Sequence, residues 1–186
     1  MDNLNNNLKQ PLDARADNLY HRAIRSQVAK PERLKGCSEQ EIAEIEQTYK
    51  LSLPYSYKVF LRYFGHNFGS VATDLEFLYP SPLLLTQWSR DTDREVLLEM
   101  SPEERAAFTE KMLPANAFIF AMKYRMESWF FIAEKGVEDP IIFYDLGDGE
   151  TEARKTSESL FDFWEGELEF KEQIIAERRA KKNKSS

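Results

Sequence analysis

Cys37 is the chain's single cysteine, and His21 and His66 are its two histidines. Thiol chemistry would need Cys37 activated by one of these imidazoles, because the thiolate is the nucleophile. Cys37 stands directly before a helix-capping serine and lacks the sequence surroundings of known catalytic cysteines, so a small semi-buried turn residue is expected there. One cysteine also excludes an intramolecular disulfide and a multi-cysteine zinc site. The histidines are far apart and form no HxxxH, which argues against a His-based metal centre. His66 lies in the glycine-flanked turn Gly65–Gly69 with Asp74 following, the one place a hydrolase pocket could be built; the plainer reading is a solvated turn histidine.

Asp145-Leu146-Gly147-Asp148-Gly149-Glu150 resembles a calcium loop only in composition. It lacks alternating ligands, and its twelfth position is Thr156 rather than Glu. Asp-Gly between apolar runs is instead a hairpin signal. No Walker motif or GxGxxG is present to cradle a phosphate. No catalytic residue, metal site or cofactor is therefore expected.

The elements that would hold such residues begin at Ser38 and Glu41, spaced as a capping box. Ile42, Ile45 and Tyr49 follow at helical spacing, and Leu51-Ser52-Leu53-Pro54 ends the run because proline disfavours the α region before it. Tyr57, Phe60, Leu61 and Phe64 predict a second helix that stops at Gly65. Upstream, Leu12, Ala16, Leu19, Ala23 and Val28 predict an amphipathic helix from Pro11 to about Lys30, with Arg15, Arg22 and Arg25 toward solvent. Leu75–Tyr79 reads as a strand, residues 83–98 as either helix or loop, and Ser101-Pro102-Glu103-Glu104 as a second capping box. Strands are expected over 118–122, 129–133, 141–145 and 151–154, then a closing helix from Ser159 weakened at Gly166.

This order resembles the SUKH superfamily, which includes the yeast Smi/Knr-type cell-wall regulators and many bacterial immunity proteins. The resemblance runs from about Gly36 to Glu169 and rests on the acidic first helix, Leu53-Pro54 with Tyr57 and Phe60-Leu61, the aromatic strands, and Ser159-Leu160-Phe161-Asp162-Phe163-Trp164. Gly65-His66-Asn67-Phe68-Gly69 departs from the family's usual asparagine-glycine, and both termini extend beyond its core. The resemblance implies an α+β fold, a mostly antiparallel sheet flanked by helices. It divides the chain into an extension (1–35), a SUKH-like domain (36–170) and a basic helix end and tail (171–186). It also implies a non-catalytic module that binds a cognate secreted or contact-delivered toxin in the cytosol. A regulatory scaffold is the alternative, and a small-molecule hydrolase using the His66 region a further one.

Charge bears on the partner. Residues 1–36 carry seven Lys/Arg against four Asp/Glu, and residues 171–186 six against two, so of the net −7 the stretch 37–170 holds −14. Such a body repels nucleic acid and attracts a basic protein, a toxic nuclease for instance. The closing run Arg178–Lys184 could be a nucleic-acid patch, but cations at a helix C-terminus complement its dipole, and a solvated end is expected. No apolar stretch approaches the ~20 residues that span a bilayer, and the start lacks a signal-peptide pattern. Partner-binding candidates are Glu138, Asp139, Asp148 and Glu150 on the hairpin connections, and Glu39, Glu44 and Glu46 on the first signature helix.

Overall fold

The capping box forms as its spacing predicts. Glu41 Oε2 accepts the Ser38 N–H at 2.7 Å, and Ser38 Oγ accepts the Glu41 N–H at 3.3 Å. Two orphan donors are thereby satisfied at the start of a helix over Glu39–Tyr49. The computed structural model describes residues 11–148 and 152–184. Within them the chain folds as an α+β domain with six α-helices: α1 (Leu12–Arg25), α2 (Glu39–Tyr49), α3 (Tyr55–Phe64), α4 (Leu85–Glu99), α5 (Pro102–Lys111) and α6 (Leu160–Lys184). Four strands, β1 (Ala117–Lys123), β2 (Glu127–Ile132), β3 (Ile142–Asp145) and β4 (Arg154–Ser157), form an antiparallel meander in the order β1-β2-β3-β4.

β1 carries no alternation of apolar and polar residues because both of its faces are covered. Phe118 and Phe120 face the main core with Phe131, Tyr57 and Phe60, whereas Ile119 and Met122 face a smaller cluster with Phe130 and Leu85. The main core is aromatic. The Phe60 ring stacks on Trp164 with centroids 4.3 Å apart and planes within 3°, and Phe68, Phe77 and Phe120 also pack around Trp164. α4 closes the sheet's other face, where Thr86 Oγ1 accepts the Ile119 N–H at 2.9 Å. That bond occupies the N–H at the start of an irregularity in the β1–β2 register.

Four expectations are corrected. Arg15 does not face solvent; it is 3 % exposed. Its guanidinium donates to Asp162 Oδ1 at 2.7 Å, Glu165 Oε1 at 3.1 Å and Ser159 Oγ at 3.1 Å, fastening α1 to the start of α6. Arg22 repeats the attachment further along with a forked pair to Glu172. α1 also ends at Arg25, earlier than its apolar stripe suggests, because Gln27 takes a left-handed φ of 62° and turns Val28 and Ala29 into the core. The stretch 75–79 is no strand: it contributes a single bridge, Glu76 to Met122, and Phe77 is drawn into the aromatic core. The ambiguous stretch 83–98 is helical over Leu85–Glu99, and the last strand lies at 154–157, downstream of its expected place. α6 runs through Gly166, where an added Cβ would meet nothing within 4 Å.

Candidate functional site

Four of the chain's five methionines, Met100, Met112, Met122 and Met126, line one groove of about 300 Å³. Its walls come from elements that the fold brings to one corner. α4 supplies Trp88, Asp93 and Val96, the end of β1 supplies Met122, and the β1–β2 turn supplies Arg125 and Met126. α5 contributes Phe108, the one described side chain of that helix that is not fully exposed. The end of β3 adds Asp145, and the turn after it adds Gly147 and Asp148.

Backbone geometry explains why these parts meet. Tyr124 and Arg125 are both left-handed, with φ of 52° and 60°, which makes a tight reversal and leaves Tyr124 73 % and Met126 58 % exposed. Gly147 (φ 71°) lies against that reversal so closely that a Cβ would fall 2.3 Å from the Met126 carbonyl oxygen. Only glycine allows the approach, and the approach sets Asp145 and Asp148 beside the methionines. Leu98, 78 % exposed on the outer face of α4, is a further uncovered apolar side chain on that helix.

The electrostatics of the groove are unbalanced. Burial, then the charge of Asp145, raises the Asp93 carboxyl above the usual carboxylate range. Burial also raises Asp145, with Asp148 adding repulsion and the Gly147 N–H partly opposing it. The Asp93 carboxylate forms no hydrogen bond or ion pair among the described residues. Arg125 lines the same groove, but its guanidinium lies over the Trp88 ring, 5.2 Å from the centroid.

A second cluster forms at the turns around α2 and α3. The Cys37 N–H donates to the Leu61 carbonyl and the His66 N–H to the Lys35 carbonyl, each at 2.8 Å. The ligand atoms of Cys37, Glu41 and His66 consequently lie within 4.8 Å of one another. Sulfur, oxygen and nitrogen donors of this kind are a set that zinc accepts with one position left open. Here they have other work. Glu41 accepts from Ser38 with one oxygen while the other lies 2.9 Å from His66 Nε2, and the His66 ring meets Tyr79 edge-on. Burial, then Glu41, pushes the Cys37 thiol up to about 12, the opposite of an activated nucleophile. Sequence spacing concealed this cluster because two backbone crossings create it: at Gly65 an added Cβ would fall 2.3 Å from Cys37 Sγ.

The expected partner-binding acids separate into distinct environments. Glu39 makes a forked pair with Arg62 at 2.6 and 3.1 Å, and Glu44 accepts the Tyr79 hydroxyl at 2.6 Å. Glu46 accepts the Leu53 N–H at 2.8 Å and pairs with Lys58 at 2.6 Å. Asp139 turns inward: it accepts the Leu160 N–H at 3.1 Å at the start of α6, and burial raises its carboxyl. As a candidate for binding a partner it is thus directed into the fold rather than outward. Glu138 is exposed, and Asp148 is exposed at the edge of the methionine groove. Glu150 lies outside the described residues. Asp93, Asp145 and the methionines were missed, although four methionines within residues 100–126 were a visible signal.

The model of the SMI1 / KNR4 family (SUKH-1) matches residues 36–166, more than two thirds of the chain. No curated protein matches it.

Proposed function

The chain belongs to the SMI1/KNR4 family (SUKH-1), and on that premise we propose that it is an immunity protein that neutralises a cognate toxin by binding it in the cytosol. Membership supports a protein-binding or regulatory role in general. The observation that carries the narrower reading is the methionine groove, a concave surface of mixed apolar and polar lining in which the Asp93 carboxylate has no partner among the described residues. Methionine-rich surfaces adapt to the partner they meet, which suits capture of a folded protein. The excess of negative charge over 37–170 suits a basic toxin, a nuclease among them. Among the described residues no helix is long and apolar enough to cross a membrane.

A regulatory scaffold is the second reading, favoured by the SMI1 / KNR4 description of the matched model. A hydrolase at the His66 turn has less support, since the adjacent thiol is held protonated. The test is co-expression with the product of the neighbouring gene. Growth arrest by that product, relieved by this chain and equally by its Cys37→Ala and His66→Ala variants, is the expected outcome. A neighbour harmless to cells would favour the scaffold. Loss of rescue by a folded, toxin-binding His66→Ala variant would favour chemistry at that turn.

A further inference from the structure

We propose that the methionine groove is a docking slot for a cationic side chain, lysine or arginine, carried between aliphatic residues on a segment of the partner protein. The inference deepens the protein-binding reading and rests on it. Long cationic side chains have apolar stems and charged heads, and they lie on apolar surface while the head seeks a polar partner. The groove offers both halves. Met100, Met112 and Met122 supply a flexible, polarisable lining for the stem, and Asp93 and Asp145 supply the charge for the head.

Charge complementarity selects this occupant over an acidic or neutral one. Asp93 and Asp145 share the described lining with Arg125, whose guanidinium is engaged with Trp88 rather than paired with either of them. The Asp93 carboxylate is partly buried beside a like charge with no hydrogen-bonding partner among the described residues, so an incoming cation supplies what the fold does not. Arg125 over Trp88 is also an internal example of the contact, a guanidinium resting on an apolar ring at the same groove. The wall formed by α5 can adjust, because Phe108 is the one described side chain of that helix tucked inward.

The probe is a pair of tetrapeptides, acetyl-Leu-Arg-Leu-Arg-amide and acetyl-Leu-Glu-Leu-Glu-amide, titrated into the full chain carrying 13C-methyl methionine. The labelled spectrum suits the question, since only Met1 lies outside the groove set. The expected result is saturable movement of the Met100, Met112, Met122 and Met126 methyl signals with the arginine peptide, and binding of the glutamate peptide at least about tenfold weaker. Asp93→Asn should weaken the arginine peptide about three- to tenfold while the unbound spectrum stays dispersed, which separates loss of binding from loss of fold. Equal movement with both peptides would overturn the choice of a cation. No movement up to about 10 mM peptide, weaker than any useful contact, would overturn the docking slot. Concentration-dependent movement in the protein alone would assign the groove to a second copy and overturn the proposal as well. No toxin enters the titration, so its failure and the failure of growth rescue are read independently.

Discussion

The turn cluster around α2 and the methionine groove both gather carboxylates, and their carboxylates titrate in opposite directions. At the turn, the Ser38 N–H holds Glu41 below its usual range and the Arg62 guanidinium does the same for Glu39. At the groove, burial raises Asp93 and Asp145. The first region completes itself: each acid there has an internal donor, and the aromatic core beneath is filled. The second leaves Met126 exposed and the Asp93 carboxylate without a partner among the described residues. Both regions lie within the stretch that matches the family, residues 36–166, yet the turn around α2 is an internally paired frame while the groove is open.

The sharpest way to break this comparison is to damage the frame. Trp164 is fully buried against Phe60, Phe68, Phe77 and Phe120. Trp164→Ala should cost about 4 kcal/mol, read from urea unfolding, because both burial and packing are lost. A cost below about 1 kcal/mol would show that the aromatic cluster is not the centre of stability. Ser38→Ala should cost about 1 kcal/mol by removing the cap. It should change the acid response only slightly. A carboxyl held low in the fold contributes stability above its unfolded pKa of about 4.3, and that stability is lost as pH falls through the folded value. The Ser38 N–H survives the substitution and goes on holding Glu41 low, so the variant should keep most of the wild-type acid response and lose only the smaller share that the hydroxyl donates.

The smallest effect tests the groove, and its sign is reversed. A carboxyl raised in the fold favours the native state below about 3.9, and that contribution fades as pH rises through the higher folded value. Asp93→Asn should therefore leave the protein as stable at pH 7 or more so, by less than about 1 kcal/mol, with a flatter profile between pH 4 and neutrality measured by thermal melts at several pH values. Clear destabilisation at pH 7 would mean that Asp93 has an internal role, and the contrast between the two regions would fail.

Much of the frame was legible because local rules govern it. Capping boxes at Ser38 and Ser101, the Pro54 break, and the apolar runs at 118–122 and 129–133 each act over a few residues. Arg15 was misread because an arginine within an amphipathic pattern normally points outward; its partners on α6 lie about 150 residues away, where no local signal reaches. Residues 75–79 have a strand's composition, but the surrounding turns and the bridge at Glu76 leave no room for a ladder. The groove was hidden for a related reason. Its helix α4 mixes charged and apolar residues without a clean stripe, since one side packs on β1 while another borders open space. Acidic residues on hairpins and on α2 drew attention by exposure, whereas Asp93 matters through burial, which spacing does not reveal.

Gly36 shows what the frame demands over generations of mutation. A Cβ there would lie 1.6 Å from the carbonyl oxygen of Arg62, so backbone meets backbone with no flexible atom between them. Any replacement must push the loop before α2 away from α3, and an altered descendant is lost before its partner is ever tested. The groove carries one such demand at Gly147, but its methionines carry none, since a methionine exchanged for leucine changes shape with little loss of volume. Side-chain exchange is therefore tolerated at the methionines of one corner and resisted at the loop crossing of the other.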